Sequence, residues 1–485
     1  MSKRSEIISQ AGLYTFSAQL VQLITLVAAI LSRKFLGPAQ MGIWATLQIV
    51  VEYSKYSTFG MLHGVAREIP YYMGKGKIEI AEEIKNVIFT TILSGSLLIG
   101  VGIFLFAFVT REKFMPEVTN GLFLTSGIIV LQRLNDFMVQ LLRCYKKFEL
   151  ASSQMISSAI VNAILVAFLT YWFKIYGFIW ALGLSFIFNI LYIHLHNNFH
   201  LRFQFNAKRF KKLVIFGFPI MMIGILTTVL RSVDKIMVVR FLGFDALGFY
   251  SIAFMASTYI ASFATSIAIV IIPHFQEKFS VTDNPQDLKN FLFKVSDAYA
   301  LATPAIIGAI WFGAPFAVTV LIPKFIPGIE AMRLLSMSMF FFSLSQPYSD
   351  FLITIKKHFL LFPLLAVTSA VALGLNYWVI HRGFGIAGVA CATSIAALFN
   401  FSIIYFFTAR YVANVKCAIQ KYLFYLGCGT YLLLALFLVS RFIPPNIYSM
   451  KQTTGQLILF VVLYCPLFFL LNHRLHLLPF RAPKK

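Results

Sequence analysis

Runs of about 20 apolar residues, the length that spans a bilayer as a helix, recur along the whole chain with only short connections between them. A helix of that length crosses the ~30 Å hydrocarbon core. Barrel strands would alternate in polarity, and these runs do not. We predict an all-α, polytopic membrane protein with about fourteen transmembrane helices. The predicted spans lie near residues 11–32, 42–62, 86–109, 121–142, 150–173, 178–199, 213–235, 246–272, 295–320, 331–354, 359–380, 385–409, 421–440 and 456–473.

The composition excludes a soluble domain. Of the 485 residues, 59% are hydrophobic and only 12% are charged, and 52 are phenylalanine. Such a chain cannot cover its surface with polar side chains in water. The first span follows a short basic segment and lacks the small-residue cleavage site of a signal peptide, so we expect it to be retained as a helix.

The chain also contains an internal duplication. Residues 35–44, which read FLGPAQMGIW, return 206 positions later as residues 241–250, which read FLGFDALGFY. At the same offset Tyr171 returns as Tyr377, again where one apolar run ends and another begins. By the count of spans both copies begin on the same side of the membrane, so the halves are parallel repeats. Membrane transporters usually bind their substrate between such halves.

The duplication divides the chain into three parts. We predict a first lobe of six helices over residues 1–205 and a second lobe of six helices over residues 206–415. Residues 416–485 have no counterpart in the first half and are predicted to form an extra helix pair of unknown role with a basic tail.

The positive charges predict the orientation. Most of the 41 Lys and Arg residues lie at the termini and in the even-numbered connections, which places both termini in the cytoplasm. The net charge of +23 is spread over many loops beside helices. This pattern favours attraction to anionic membrane lipids and disfavours a nucleic-acid partner.

Several charged side chains lie inside predicted spans, where each costs at least ~2.5 kcal/mol unless it faces a cavity or a partner. Three pairs have the i,i+3 spacing that puts both members on one face of a helix. They are either ion pairs that neutralise each other within the bundle or groups that line a water-filled path. The pairs are Glu52/Lys55, Arg133/Asp136 and Arg231/Asp234, and Lys235 adds a second cation to the last of them.

Polar residues also form a stripe along two helices that the repeat relates. The stripe includes Gln19 and Gln22 in the first span and Thr228 in the seventh. It indicates either polar contacts between helices or a central cavity shared by the first helix of each half. Gly217 and Pro219, at the start of the seventh span, are candidates for a hinge, although a proline is also common where a helix begins.

The sequence shows no catalytic constellation. It lacks the HExxH, GxSxG, P-loop and dinucleotide-binding motifs. His194, His196 and His200 have no carboxylate or cysteine near them in sequence, so we expect interfacial histidines and no metal site. The five cysteines have no CxxC pairing. We therefore expect no catalytic residue, no metal and no cofactor.

Short motifs occur in a characteristic order from the first span to the start of the twelfth, and the resemblance that they carry covers roughly the first 410 residues. They comprise residues 12–15, 33–38 and 42–44, residues 217–219, 234–235, 241–243 and 248–250, and residues 383–390 with 392–393. In this order and spacing the chain resembles the polysaccharide transporter family. Its members are lipid-linked oligosaccharide flippases of the multidrug/oligosaccharidyl-lipid/polysaccharide exporter superfamily.

The resemblance implies a two-lobed bundle that opens alternately to either side of the bacterial cytoplasmic (inner) membrane. The implied substrate is an undecaprenyl-diphosphate-linked oligosaccharide, such as an O-antigen, capsule or exopolysaccharide repeat unit. Glycan polymerase or assembly proteins are partners that this class suggests. The implied headgroup path consists of Arg231, Lys235, Lys55, Arg133, Gln19, Gln22 and Thr228, and the candidates to take a coupling proton or sodium ion are Asp234, Asp136 and Glu52.

Two other functions stay open. A multidrug or cation antiporter of the same superfamily would need an acidic, aromatic cavity, which the surplus of cations around Arg231 and Lys235 disfavours. An integral-membrane glycan polymerase or acyltransferase would usually have a large extracytoplasmic loop or a His/Asp pair in the membrane, and neither is evident in the sequence. We predict a flippase and not an enzyme.

Overall fold

The computed structural model describes residues 3–197, 199–282, 284–444 and 446–475. Every regular element in these residues is helical, which confirms the predicted fold class. The predicted basic tail after Leu475 lies outside the described residues. The α-helices are α1 (Lys3–Ser54), α2 (Met61–Gly74), α3 (Ile78–Val109), α4 (Pro116–Cys144), α5 (Phe148–His196), α6 (Ala207–Thr282), α7 (Lys289–Leu321), α8 (Ile329–Thr354), α9 (Leu361–His381), α10 (Gly385–Val412), α11 (Val415–Phe442) and α12 (Met450–Leu475).

Within the described residues, ten helices are long and apolar enough to cross a bilayer. Three of the helices, α1, α5 and α6, each contain one residue whose backbone angles are not helical: Gly37, Lys174 and Gly243. Each of these residues lies between two predicted spans, so each of the three helices contains two spans of the sequence prediction. The protein is a multi-pass membrane protein, and the count of fourteen crossings stays a prediction.

The duplicated segment makes the same corner twice. Gly37 and Gly243 occupy equivalent positions in the repeat, with φ/ψ of 73°/179° and 88°/−179°. This region of backbone space is accessible essentially only to glycine. Lys146 and Lys356 begin Lys-Lys pairs that lie 210 positions apart in the two halves, and both have a positive φ, of 56° and 59°. The two halves therefore share turns as well as sequence.

Aromatic contacts at these corners repeat as well. The ring of Phe35 packs edge-on against Tyr171, with 5.5 Å between centroids. The equivalent rings of Phe241 and Tyr377 pack in the same way at 6.1 Å. Both members of each pair are 206 positions from their counterparts. The duplication thus preserves a side-chain contact in each half.

The chain divides into two compact units, Met1–Thr228 and Val229–Lys485. The boundary falls within α6, so residues 207–228 of this helix belong to the first unit. In that unit α1 packs against α5, and α4 packs against α3 and α5. Residues such as Val65, Ile88 and Leu141 form its buried core. The division into lobes at residue 205 stays a prediction.

In the second unit α10 packs against α8 and α9, and α7 packs against α8. The last two helices also pack on α7. Lys421 of α11 forms an ion pair with Asp297 of α7 at 2.8 Å, and the Tyr464 hydroxyl of α12 donates a hydrogen bond to the Leu301 carbonyl. The ring of Phe460 fills the space above Gly308. The extra helix pair is therefore built into the second unit.

Candidate functional site

The second predicted span is interrupted near its end. Helix α1 ends at Ser54, residues Lys55–Thr58 form one 3-10 turn, and α2 begins at Met61. Phe59 and Gly60, between them, have left-handed φ angles of 48° and 73°. The first N–H groups of α2 have no partner within the helix, and no side chain caps that end. Such irregular backbone is tolerated at membrane depth only where it lines a cavity or is buried in protein.

Glycine contacts hold this turn in place. A Cβ atom on Gly217, in the first part of α6, would lie 2.6 Å from the carbonyl oxygen of Gly60. A Cβ atom on Gly95 of α3 would lie 2.5 Å from the carbonyl oxygen of Ser57. These distances leave no room for a larger residue. The turn is therefore fixed by two neighbouring helices.

A cavity of about 480 Å³ opens beside the turn, within the first unit. We call it the first cavity. It brings together the sequence-predicted residues Lys55, Arg133 and Asp136, and adds Arg143 from the end of α4. Its lining carries three cations and one carboxylate, so its formal charge is positive. The structure thus has a cationic cavity lined mainly by helices that are long and apolar enough to span a membrane.

Arg133 is the most deeply buried cation of the first cavity. Its side chain is 6% exposed, against 38% for Asp136, and its Nη1 lies 3.3 Å from the Asp136 Oδ2. This is the i,i+3 ion pair that the spacing predicts. Among the described residues, the Nε of Arg133 and the Oδ1 of Asn135 are buried without a hydrogen-bond partner. A guanidinium has five N–H donors, and the ion pair with Asp136 leaves the Nε of Arg133 without an acceptor.

A second cavity, of about 140 Å³, lies within the second unit and contains Arg231, Asp234 and Lys235. Asp234 is buried and accepts hydrogen bonds from the Tyr250 hydroxyl at 3.1 Å and from the Lys235 backbone N–H at 2.8 Å. The Lys235 ammonium lies 4.5 Å from the centroid of the Phe254 ring. The predicted cluster therefore shares one cavity, which we call the second cavity.

The second cavity also has many uncharged polar and aromatic residues in its lining. Besides its three charged residues, hydroxyl and amide side chains line the second cavity, and two phenylalanines supply apolar walls. Such groups bind neutral polar ligands through hydrogen bonds and ring faces. They are Ser257, Thr258, Thr265, Ser338, Ser343, Gln346 and Thr393, with Phe254 and Phe342.

The remaining predicted path residues, and the ion-coupling candidate Glu52, do not line either cavity. Gln19 is exposed, and Gln22 and Glu52 are half-buried. Thr228 is buried and makes a 2.6 Å hydrogen bond with the hydroxyl of Tyr56, which does line the first cavity. The roles of Gln19, Gln22 and Thr228 in the substrate path, and of Glu52 in ion coupling, stay predictions. The contact of Thr228 with Tyr56 adds a further link between α6 and the turn.

The hinge candidates are part of a regular helix. Gly217 and Pro219 both lie within α6, and Gly217 packs its backbone on Gly60. A hinge at these residues stays a prediction. Sequence reasoning missed the turn at residues 55–60, although a glycine inside a predicted span was a signal for it. It also missed Arg143, because that residue fell just beyond the predicted end of its span.

The arrangement of helices matches solved transporters. The chain is similar to the lipid II flippase MurJ in an inward closed conformation, with a TM-score of 0.69 and 17% identity over 96% of this chain and 99% of that one. It is also similar to an inward-facing multidrug resistance MATE family transporter of the MOP superfamily, with a TM-score of 0.64 and 15% identity over 80% and 94% of the two chains. These likenesses define the class, a multi-pass membrane protein with the fold of MOP-superfamily transporters.

A MOP-superfamily transporter from Pyrococcus furiosus, described as having a binding pocket of reverse polarity, matches with a TM-score of 0.53 and 15% identity over 83% of this chain and 92% of that one. Sequence comparison with curated proteins gives no match. A family model described as polysaccharide biosynthesis protein matches residues 8–279, which is more than half of the chain. The chain belongs to this polysaccharide biosynthesis protein family.

Proposed function

We propose that the protein is a flippase that carries an undecaprenyl-diphosphate-linked oligosaccharide across the bacterial cytoplasmic membrane by alternating access. Membership of a polysaccharide biosynthesis family and the fold of MOP-superfamily transporters support this function. The observation that carries the proposal is the first cavity, where the buried Nε of Arg133 has no hydrogen-bond partner, beside the unwound turn at residues 55–60. A diphosphate is the part of the substrate that needs such a site.

The chemistry of the first cavity suits a diphosphate. An arginine binds two phosphate oxygens at once through parallel N–H donors, and such charge-assisted bonds are short and strong. Attraction between opposite charges also increases where water is excluded. Lys55 and Arg143 add positive charge, and the start of α2 adds N–H groups together with the positive end of a helix dipole. The cavity would neutralise the headgroup while it crosses the hydrocarbon.

The second cavity would bind another part of the same substrate. Arg231 and Lys235 would meet an anionic group, while the hydroxyl and amide side chains would bind sugar hydroxyls. The carboxylates Asp234, Asp136 and Glu52 are our candidates to take a coupling proton or sodium ion. Of these, Asp234 is the most buried, so the charge on it is the most costly to leave unbalanced.

The proposal includes the orientation and the partners. Both termini face the cytoplasm, since the basic residues concentrate in the connections on that side. The substrate is received from the cytoplasmic leaflet and delivered to the outer leaflet, where a glycan polymerase or assembly protein would use it. The two halves, related as parallel repeats, would rock around the bound headgroup.

Transport in proteoliposomes tests the proposal. The full chain is reconstituted with a labelled undecaprenyl-diphosphate oligosaccharide, and the rate at which the label crosses the bilayer is compared between the unchanged protein, Arg133→Gln and Arg111→Gln. Arg111 is an exposed arginine between α3 and α4, outside the first cavity. We expect about a tenfold loss or more in Arg133→Gln, since a hydrogen bond to a charged group contributes ~1.5–3 kcal/mol, and no loss in Arg111→Gln.

The same vesicles separate the proposed function from its alternative. Transport of an organic cation by the unchanged protein, without transport of the glycolipid, would identify a multidrug antiporter instead. Transport of the glycolipid at an unchanged rate in Arg133→Gln would show that this residue does not hold the headgroup.

A further inference from the structure

The segment that joins α5 to α6 lies along α3 as an extended strap. We call residues 199–206 the linker strap. The backbone N–H of Arg202 donates to the side-chain oxygen of Asn86 at 3.2 Å, and that of Gln204 donates to the Thr90 hydroxyl at 2.9 Å. Alternate N–H groups of the strap therefore bind successive turns of α3. The strap has a defined position in the first unit, although it contains no helix or strand.

The strap lies on a face of α3 that continues, further along the helix, as a lipid-facing surface. Asn86 and Thr90 begin a stripe with helical spacing that continues through the exposed side chains Leu97, Val101 and Phe104. Exposed apolar side chains along a membrane-spanning helix contact acyl chains. The stripe passes through the exposed Ser94 and is apolar from Leu97 onward, which places the strap near the level where headgroups meet hydrocarbon.

The start of α6 shows the same change from polar to apolar. Lys208 and Lys211 are exposed on one face, and Ile215 and Phe218 continue that face as exposed apolar residues. Basic side chains followed by an apolar face are typical of a helix that enters the membrane from the cytoplasmic surface. Two neighbouring elements of the first unit thus mark the same membrane level.

The strap itself has exposed aromatic and basic side chains at the level where headgroups meet hydrocarbon. Phe203 is 76% exposed and Phe205 is 66% exposed, even though the ring of Phe203 lies 5.5 Å from that of Phe89. Aromatic rings are favoured at the boundary between headgroups and acyl chains. Arg202 of the strap is exposed as well. Apolar anchors and positive charge therefore occur together.

The basic residues here fall into two groups. Arg209 and Lys212 are paired with carboxylates of the first unit, Glu83 at 3.3 Å and Glu68 at 3.0 Å. Within the part of the chain that the structure describes, Arg202, Lys208 and Lys211 have no carboxylate within ion-pair distance. Three cations at headgroup level thus remain available to an external anion, beside two exposed phenylalanines.

We propose that the linker strap and the first turns of α6 form a docking site for an anionic phospholipid of the cytoplasmic leaflet. Arg202, Lys208 and Lys211 hold the lipid phosphate, and Phe203 and Phe205 enter the layer where its acyl chains begin. The site is distinct from both cavities, and its occupation does not require the transport that we propose.

Native mass spectrometry of the purified full chain tests this site. The protein is titrated with phosphatidylglycerol and, separately, with the zwitterionic phosphatidylcholine, and the retained lipid is counted. In the variant Arg202→Gln/Lys208→Gln/Lys211→Gln we expect retention of phosphatidylglycerol to weaken by about a hundredfold, since each basic residue near an anionic surface contributes about a factor of five. Retention of phosphatidylcholine should not change.

A matched variant controls for the loss of charge. Arg111→Gln/Lys113→Gln/Lys174→Gln removes one arginine and two lysines, all exposed, from the connections on the opposite side of the predicted membrane. This variant should retain phosphatidylglycerol as the unchanged protein does. Equal losses in both triple variants, or no loss in the first, would overturn the proposal.

Two further measurements keep the test independent of folding. Each of the three substitutions is also measured alone, and each should weaken phosphatidylglycerol retention severalfold while leaving thermal unfolding in neutral detergent unchanged. Phe203→Ser/Phe205→Ser removes the apolar anchors and keeps every charge. It should weaken retention of the anionic lipid as well, and unchanged retention in this variant would show that the strap is not seated in the membrane.

Discussion

Gly60 and Gly217 pack backbone against backbone, so that a Cβ atom on Gly217 would lie 2.6 Å from the Gly60 carbonyl oxygen. One glycine ends the unwound turn of the second span, and the other lies near the start of α6. The contact fixes the turn that exposes Lys55 to the first cavity. A packing requirement between two glycines therefore determines where a cation is presented at membrane depth.

This contact predicts that Gly217→Ala destabilises the first unit. Alanine within a helix is normally favoured over glycine by ~1 kcal/mol, but here its methyl group would collide with a carbonyl, and overpacking typically costs ~1–3 kcal/mol. Gly102→Ala is the matched control, because Gly102 is also helical and has open space around its Cβ position. The melting temperature in detergent should fall for Gly217→Ala and not for Gly102→Ala. Equal melting temperatures would show that the close contact can relax.

The ion pair of Arg133 and Asp136 predicts opposite effects for its two members. Asp136→Asn removes the competing carboxylate and should leave binding of undecaprenyl diphosphate unchanged or tighter. Arg133→Lys keeps the charge but loses the planar donor fork, so binding should weaken about tenfold, as expected from the loss of a bond of ~1.5 kcal/mol. Affinity measured on purified protein checks both. Similar losses of affinity in Asp136→Asn and Arg133→Lys would instead support a purely structural ion pair.

The second cavity predicts that Arg231→Gln or Lys235→Gln abolishes export of the surface glycan while the amount of protein in the membrane is maintained. Both residues line the cavity that contains the buried Asp234. Arg240→Gln is the control, since Arg240 lies further along the same helix, is exposed and does not line the cavity. Glycan at the cell surface and protein in isolated membranes are measured together. Normal export in both cavity variants would contradict a role for this cluster.

The last helix pair predicts a strong effect of breaking one buried ion pair. Lys421→Met would leave Asp297, which is 4% exposed, without its cation, and loss of one partner of such a pair typically costs ~3–5 kcal/mol. The double variant Lys421→Met/Asp297→Leu removes both charges and should recover much of the loss. Thermal unfolding of the three proteins checks this, and a double variant as unstable as the single one would contradict it.

Part of the candidate site could be predicted from the sequence because it depends on local spacing. The pair Arg133/Asp136 is set by one turn of helix, and the proximity of Arg231, Asp234 and Lys235 follows from their positions in a single helix. The corners at Gly37 and Gly243 were likewise visible as a repeated motif. Such features need only a few neighbouring residues.

The sequence by itself determined the all-helical membrane class and the duplication, because the bilayer requires every spanning segment to satisfy its own backbone hydrogen bonds and to be apolar for about 20 residues. Only the tertiary structure decided which charges share a cavity and where the second span unwinds. Gly60 meets Gly217, and Asn86 meets the linker strap, across long separations in the chain. Contacts of that kind depend on how helices pack, and the periodicity of one segment holds no information about its distant partner.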